Sequence, residues 1–587
     1  MKFTPSSERP RRGIALAICS MVAMLALTGC LSEEPKQQVD TLYFGGDILT
    51  MQGDVPEYVE AAAIKNGTIV FIGSLDQAQR LAGKRTKRVD LHGATLMPGF
   101  IDSHSHVSIF TQQMTWANLS PTPAGRVTQI SDIVDELQKT QREQGLAKDE
   151  WLLGMGYDVD YLAERRHPSA ADLDAAFPET PVVIMHVSGH MVVANSIAMR
   201  LKGVTITTED PPGGEIVRLS DGQTPHGLIK ETALIVHFLD VLMPKASLDA
   251  QSLQLNKALN YYASKGVTTA QEGAALPVSV EVLKYAAANN LLPIDVVALV
   301  RYEGLQELER LQPIVWGEYQ GKLKFEGVKL ALDGSPQGKS AFLTSPYLTP
   351  VEGCDLSCVG IAQMTAQQFE KVMREIYGKG IHVFAHANGD GAIDMLINTH
   401  ANIVATMAPE QVDDLRTVAI HSQVMRPDQV NSYIKYQILP SFFTNHTYFW
   451  GDVHLQNLGE ERAGFISPMR ASMDGGLTVS NHSDNPVTPI DPLLGVWSAV
   501  NRISINGTVI GESQRVSVYE ALKATTINAA FQYFEEDSKG SIEVGKKADF
   551  VALDHNPLKV PKSEIKKINI LYTIKNDAVV FQRDDYR

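Results

Sequence analysis

The sequence predicts an α/β protein built around a (β/α)8 barrel, and two observations lead to this prediction. First, eight short apolar runs in the middle of the chain alternate with segments of helical periodicity. Second, polar side chains recur at the ends of five of these runs, where this fold carries its active site. A chain of 587 residues, 44% hydrophobic and 20% charged, is long enough for such a barrel and a second module.

Residues 1–29 have the features of an export signal. Basic residues precede an apolar run from Ile14 to Leu27, which ends in "LTGC" and is too short to span a bilayer stably. The stretch "LALTGC" resembles the lipobox of bacterial lipoproteins, which implies acylation of Cys30 after cleavage. We therefore expect a bacterial cell-envelope protein, lipid-anchored to the membrane at Cys30 on the periplasmic or extracytoplasmic side, with residues 30–39 as a polar tether.

The net charge restricts the class of binding partner, and the cysteines indicate the redox compartment. The net charge is −15, and removal of residues 1–29, with four basic residues and one acidic residue, changes it to −18. A nucleic-acid partner would need a basic face, so none is expected. Two cysteines of the mature chain beyond Cys30 are Cys354 and Cys358. In an oxidising compartment their spacing favours a disulfide over a metal site, because no second cysteine pair exists.

Short strands of antiparallel type are predicted near both ends of the chain. Two begin at Thr41 and Ala62, the second with Asn66–Gly67 as a hairpin turn, and two more begin at Ala548 and Ile570. Each set is too small to be a stable domain by itself.

The eight apolar runs form the second population of predicted strands. They are Leu96 to His106 and the runs that begin at Gly266, Pro293, Lys324, Ile381, Thr417, Gln437 and Leu477. The interval at about residues 107–260 is predicted to be a large insertion at the mouth of the barrel. An insertion at this place could supply substrate contacts and a lid. It could equally be a packing or dimerisation surface, so homo-oligomerisation stays open.

The run "GFIDSHSHV" raises the question of a metal site. On a strand Asp102, His104 and His106 share one face, and two adjacent imidazoles can bind a metal ion. A lone HxH pair is usually not a ligand pair. Further polar residues, however, are predicted at the ends of later strands: Lys329, Asp333, His386, His421, His482 and Asp484.

With these positions in view, the chain resembles the amidohydrolase superfamily, and within it the group called amidohydrolase family 3, or YtcJ-like proteins. The resemblance rests on "ATLMPGFIDSHSH", "VKLALDGSPQGKSAFLTSPY", "HVFAHANGDGAID", "NHSDNPVTPIDPLLGVWSAVNR" and "KGSIEVGKKADFVALDHNP". It implies a metal-dependent barrel over residues 98–537 and a small β-sandwich assembled from residues 40–97 and 538–587.

The resemblance also implies the ligands. His104 and His106 would hold the more buried ion, His386 and His421 a second ion, and Asp484 would contact metal and act as general base and acid. Lys329 would be a carboxylated lysine that bridges the ions. Nitrogen and oxygen ligands favour zinc, as one or two ions. An ammonium beside two cations would be repelled, whereas a neutral amine can add carbon dioxide to give an anionic carbamate.

The function implied is metal-dependent hydrolysis of a non-peptide C–N bond, amide-like and for example N-acyl or N-formyl, in a small-molecule substrate. The alternatives are a mononuclear deaminase of the same superfamily and a metal-binding or regulatory lipoprotein without catalysis. Relatives of the deaminase type carry glutamate three residues after the strand-five histidine, where this chain has Gly389. Relatives often carry glutamate before the next histidine as well, where this chain has Ile420.

Substrate contacts are predicted from polar residues among apolar or aromatic neighbours. Each has a structural interpretation of equal weight. They are His190, Asn195, Glu231 and His446.

Overall fold

The computed structural model describes residues 38–584, apart from 244–245, 312, 352–353, 355–356 and 413. The predicted signal peptide, Cys30 and residues 30–37 of the predicted tether lie outside the described residues. Within them, every helix is too short or too polar to cross a bilayer.

Eight parallel strands form the barrel, in the predicted order along the chain. They are β6 (Phe100–Ile101), β13 (Val267–Ala275), β14 (Asp295–Arg301), β16 (Leu323–Ala331), β17 (His382–Ala387), β18 (Val418–His421), β19 (Leu439–Phe442) and β20 (Ser480–Asn481), with β15 (Tyr319–Gln320) antiparallel on β16. The segments after β20 and β6 meet, because the Asp484 N–H donates to the His104 carbonyl at 3.0 Å. The prediction of a barrel is confirmed.

The helices that alternate with the barrel strands pack their apolar faces on these strands. Val328 and Leu330 of β16 point outward into this core, while Phe384 of β17 fills the barrel interior, as the alternation of a strand requires. The helices are α1 (Leu75–Gln79), α2 (Val107–Gln113), α3 (Ile130–Gln144), α4 (Ala170–Asp174), α5 (Ser196–Leu201), α6 (Thr232–Leu242), α7 (Leu248–Ser264), α8 (Pro277–Ala288), α9 (Tyr302–Leu311), α10 (Ala366–Gly378), α11 (Asp390–Val404), α12 (Pro409–Val412), α13 (Pro427–Tyr436), α14 (Asn445–Phe449), α15 (Gly451–Leu458), α16 (Glu460–Gly464), α17 (Met469–Asp474), α18 (Pro492–Asn501), α19 (Val518–Ala524) and α20 (Ile527–Phe531).

The long interval between β6 and β13 contains a second sheet. Its six strands run in the order β11-β12-β10-β9-β8-β7. They are β7 (Ala117–Asn118), β8 (Leu152–Tyr157), β9 (Val182–His186), β10 (Met191–Ala194), β11 (Gly214–Arg218) and β12 (Pro225–Glu231). Apolar cores lie on both faces of this sheet, so it is a packed module and not a loose loop.

Strands from both ends of the chain form a third sheet of eight strands, because β5 pairs with β21. They are β1 (Thr41–Leu49), β2 (Tyr58–Lys65), β3 (Thr68–Gly73), β4 (Lys87–Asp90), β5 (Thr95–Pro98), β21 (Phe550–Leu553), β22 (Ile570–Lys575) and β23 (Ala578–Gln582). The hairpin turn predicted at Asn66–Gly67 is confirmed, since both residues have positive φ (50° and 73°) between β2 and β3.

The connection between β16 and α10 is long, and its first residues lie beside the end of β17. Cys354 and Cys358 form a disulfide within it, with a Cα–Cα distance of 6.1 Å. Asp333, at the start of this connection, accepts hydrogen bonds from the backbone N–H groups of Phe342, Asn388 and Gly389. The connection is thereby tied to the segment that follows β17.

Candidate metal centre

Five barrel strands deliver polar side chains to one place at their C-terminal ends. His104 and His106 follow β6, Lys329 lies in β16, and His386 lies in β17. His421 is the last residue of β18, and Asp484 follows β20. All six are predicted site residues: His104, His106, Lys329, His386, His421 and Asp484. The structure brings them together.

The Asp484 carboxylate lies at the middle of this cluster. Its Oδ1 is 3.3 Å from His106 Nε2 and 3.5 Å from His104 Nε2. Its Oδ2 is 3.9 Å from His421 Nδ1. His104, His421 and Asp484 each offer one ligand atom, and these atoms all lie within 4.8 Å of one another. Imidazole nitrogen and carboxylate oxygen are the donor set that Zn²⁺ accepts.

His386 and Lys329 extend the cluster on either side. His386 Nδ1 is 3.0 Å from His421 Nε2, and Lys329 Nζ is 3.1 Å from His104 Nε2. Several buried atoms here make no hydrogen bond within the described chain, among them His106 Nδ1, His421 Nδ1 and Asp484 Oδ1. Buried polar atoms are almost always paired in folded proteins. The lone pairs of these buried atoms have no hydrogen-bond donor, which fits a bound cation as their partner.

Gln271 of β13 sets the tautomer of His104. Its side-chain amide donates to the Ser103 carbonyl at 2.9 Å and to the Tyr533 hydroxyl at 2.6 Å, which leaves the amide oxygen facing His104 Nδ1 at 2.5 Å. Because a carbonyl oxygen only accepts, Nδ1 carries the proton. The Nε2 lone pair therefore faces Asp484 and Lys329, as a metal ligand requires.

Glycine is needed beside this imidazole. A Cβ at Gly273 would lie 2.4 Å from His104 Cε1, closer than such atoms approach.

The backbone is also strained at the cluster, since His421 and Asp484 have φ values of 74° and 52°. Left-handed conformations of non-glycine residues cost about 1–3 kcal/mol each and gather at functional sites.

Burial and mutual repulsion lower the pKa of four nitrogen-bearing side chains of the cluster: His104, His386, His421 and Lys329. Burial lowers the pKa of His104, and the neighbouring Lys329 and His106 lower it further. Burial likewise lowers the pKa of His386 and of His421. Burial lowers the pKa of Lys329 to about 7, with Asp484 opposing the shift and Arg301 adding to it. Neutral imidazoles and a neutral amine are the forms that can bind a metal or add carbon dioxide.

Asp102 is a correction to the expected alternation. Strand β6 ends at Ile101, so residue 102 no longer follows the strand. The Asp102 carboxylate turns to Ser483, accepting from its N–H at 3.0 Å and from its hydroxyl at 2.6 Å. It thus holds the segment that carries Asp484 and does not face the cluster itself.

A cavity of about 210 Å³ opens beside the cluster and contains two of the four predicted substrate contacts, His190 and Glu231. His190 Nδ1 is 2.8 Å from Glu231 Oε2, which also accepts from Gln363 Nε2 at 2.8 Å. The His190 ring lies 5.1 Å from that of His386. The insertion therefore contributes an imidazole and a carboxylate to the cavity wall.

The other two predicted contacts lie elsewhere and are corrections. Asn195 is fully buried as the N-cap of α5, where its side chain accepts from the Ala198 N–H and donates to the Thr180 carbonyl. His446 Nδ1 lies 2.9 Å from His454 Nε2, and its ring meets that of Phe443 edge to face. Neither lines the cavity. A buried polar side chain among apolar neighbours fits a helix cap or an imidazole pair as well as a pocket.

The sequence interpretation missed Glu272, Arg301 and Gln363, which line the cavity. Glu272 and Arg301 lie in β13 and at the end of β14, two of the three strands for which no polar end residue was predicted. The strand-end rule that found His386 and His421 would have found both. Arg301 pairs with Glu303 at 2.9 Å, and Glu272 accepts from the Ser108 N–H at 2.6 Å.

Comparison with known proteins agrees with this geometry. A sequence model described as "Amidohydrolase family" matches residues 87–581. The putative amidohydrolase YtcJ of Bacillus subtilis is 28% identical over 92% of this chain and 99% of its own length. The N-substituted formamide deformylase of Arthrobacter pascens is 23% identical over 89% and 95%. A metal-dependent hydrolase of Pyrococcus horikoshii superposes with a TM-score of 0.69 at 24% identity, over 89% of this chain and 99% of that one.

Proposed function

This chain belongs to the amidohydrolase family, and we propose that it hydrolyses an amide-like C–N bond other than a peptide bond, with N-formyl or N-acyl compounds as substrates. The observation that carries the proposal is the Asp484 carboxylate among three imidazoles, beside a largely apolar cavity. The name of the Arthrobacter relative supports N-formyl compounds as the first class to test.

In this proposal His104 and His106 hold one divalent ion, zinc by preference, and His386 and His421 hold a second where two are present. A bound ion would lower the pKa of a water molecule toward neutrality and polarise a carbonyl group. Lys329 would add carbon dioxide at Nζ and lose a proton, and the resulting anionic carbamate would supply oxygen ligands to the metal site. The low pKa of its amine supports this step.

Asp484 would act as the proton carrier. Its carboxylate takes a proton from the attacking water and delivers it to the leaving nitrogen, so it is a general base first and a general acid second. Its Oδ1 makes no hydrogen bond within the described chain and is available for this role. His190 would bind the substrate, since Glu231 holds the Nδ1 side of its ring and leaves the Nε2 side for a hydrogen bond.

The structure disfavours a deaminase of the type that needs glutamate three residues after His386. The residue there is Gly389, and a Cβ would lie 2.0 Å from the Phe342 carbonyl oxygen. Its backbone N–H donates to Asp333 at 2.7 Å. No side chain fits at this position without a shift of the connection after β16.

Metal analysis paired with a substrate panel tests the proposal. We expect the purified protein to hold one or two divalent ions per chain and to release formate or a carboxylate from N-formyl or N-acyl amines. Lys329→Ala and His104→Ala should lower the metal content, whereas His92→Ala, an exposed histidine far from the cluster, should not. A metal-loaded protein that turns over no compound of the panel would favour a binding protein.

We also propose export and lipid anchoring at Cys30, on the sequence alone. The mass of the mature N-terminus tests this. An unmodified chain that begins at Met1 would overturn it.

A further inference from the structure

Two neighbouring cavities share wall residues within the insertion. The inner one is the cavity beside the metal-ligand cluster, of about 210 Å³. An outer groove of about 630 Å³ lies next to it. The two share part of their walls, and the shared residues are Gln112, Trp116, Leu242, Met243 and Gln251.

The charged side chains that line the inner cavity belong to the cluster or lie near it. The cluster, His190 and Glu231 supply polar groups to its wall. Much of the remaining wall is aliphatic: the insertion contributes Met155 and Met185, and α6 contributes Leu234. A small polar substrate would leave this wall in contact with water, which is unfavourable. The wall therefore selects an apolar group attached to the reacting atoms.

The outer groove continues the apolar surface away from the reaction centre. The insertion contributes Trp151, Leu146 and Leu153, and α7 contributes Ala250 on the opposite side. The indole of Trp151 is only partly buried on the core of the insertion sheet. Two carboxylates also line the groove, Asp149 and Glu150, and both residues are exposed.

We propose that the substrate carries an elongated apolar group on the amide nitrogen, and that this group runs from the inner cavity past Trp116 and Met243 into the outer groove. The inference rests on the proposed function for the position of the C–N bond. In a formamide the carbonyl carbon bears only hydrogen, so the elongated group must be on nitrogen. The outer groove is thus a specificity site for the far end of the substrate.

A series of N-alkylformamides, from methyl to octyl, tests this. Each methylene that enters an apolar site is worth about 3- to 4-fold in binding. We expect kcat/KM to rise steeply with chain length, carried by a falling KM. A flat dependence in an active enzyme would overturn the inference and leave the proposed function intact.

A blocking variant tests the path itself. Ala250→Trp places a large side chain in the outer groove from an exposed helical position, without removal of core contacts. It should raise KM for N-octylformamide about 10-fold or more and leave N-methylformamide unchanged. Ala171→Trp, at an exposed position of α4 that lines neither cavity, is the matched control and should change neither substrate.

Calorimetry on the metal-free protein separates the two hypotheses. N-octylformamide should bind the metal-free wild type more tightly than N-methylformamide, and Ala250→Trp should remove most of that difference. This result would support the inference even if no formamide is hydrolysed, in which case the proposed function fails alone. Equal binding of the two compounds, or an unchanged preference in Ala250→Trp, would refute the path through the groove.

Discussion

The two ends of the barrel both bury charged side chains, but they do so in opposite ways. We call the end of the barrel at the N-termini of its strands the floor, and the end at their C-termini the rim. Three side chains on one face of β17 run from one end to the other: His382 at the floor, Phe384 in the middle and His386 at the rim. At the floor the Asp295 carboxylate lies 2.7 Å from Lys539 Nζ and 2.6 Å from Lys575 Nζ. At the rim Asp484 Oδ1 and His421 Nδ1 make no hydrogen bond within the described chain.

This difference separates a structural charge cluster from a candidate site. The floor joins the barrel to the C-terminal segment, since Lys575 of β22 lies 2.6 Å from both Asp295 and Asp549. The lysines hold the pKa of Asp295 below its usual range, although burial acts the other way. The rim instead gathers imidazoles around one carboxylate. Burial alone therefore does not identify function, whereas imidazole nitrogens that converge on one carboxylate indicate a metal site.

The largest expected effect is on activity at the rim. Asp484→Asn keeps the shape of the side chain and removes its proton-carrying role, so kcat should fall by about 10²–10⁴-fold. The urea midpoint of the metal-free protein should fall less than in the floor variant described next, because the imidazole nitrogens nearest to Oδ1 lie at 3.3 Å and 3.5 Å, farther than a close ion pair. Initial rates and urea titrations of the two proteins check this. Full activity, or collapse of the fold, would make the rim a structural cluster like the floor.

The next effect is on stability at the floor. Asp295→Asn leaves Lys539 and Lys575 buried without this carboxylate, and loss of one partner of a buried ion pair costs about 3–5 kcal/mol. The free energy of unfolding in urea should fall by that amount, while kcat/KM per folded molecule stays unchanged. A loss of activity without a loss of stability would contradict the contrast between the two ends.

An exposed ion pair of similar length is the matched control for the floor. Lys148 Nζ lies 2.6 Å from Glu179, but their side chains are 79% and 63% exposed, against 0% for Lys575 and 2% for Asp295. Solvent screens such a pair. Glu179→Gln should therefore leave the urea midpoint unchanged, which shows that burial and not distance sets the cost at Asp295.

The rim was predictable from the sequence to a greater extent than the floor. Alternation put Lys329 and His386 inward, and its position at a strand end put His421 at the rim beside them, because the strand ends of a barrel lie around one site. The same rule could not join Asp295 to Lys539 and Lys575, which are far away in the sequence. Pairing between distant segments depends on how the chain ends pack, and one sequence carries no local pattern for that.

The predictions failed where a local pattern had several physical solutions. Asn195 precedes a helix, which is also the signal for an N-cap, and its side chain satisfies that role completely. Asp102 was placed on a strand that ends one residue earlier. In both cases hydrogen bonds to a neighbouring segment decided the side-chain direction, and neither neighbour is visible in the local sequence.

The smallest expected effect is on the free energy of unfolding at acidic pH. Its measurement over a range of pH tests the charge cluster at the floor. The pKa of Asp295 is lowered in the folded state, so the folded protein binds fewer protons at this group than the unfolded chain does. Its contribution is therefore complete above about pH 4, the usual range of a free aspartate, and is lost as the pH falls further.

Wild type and Asp295→Asn should accordingly differ in urea stability at pH 6 by the amount expected for a buried ion pair, about 3–5 kcal/mol, and should converge as the pH falls below about 4. The two curves could instead stay parallel down to low pH. Because protonation removes only the charge of the carboxylate, this result would mean that its hydrogen bonds, and not its charge, stabilise the folded protein.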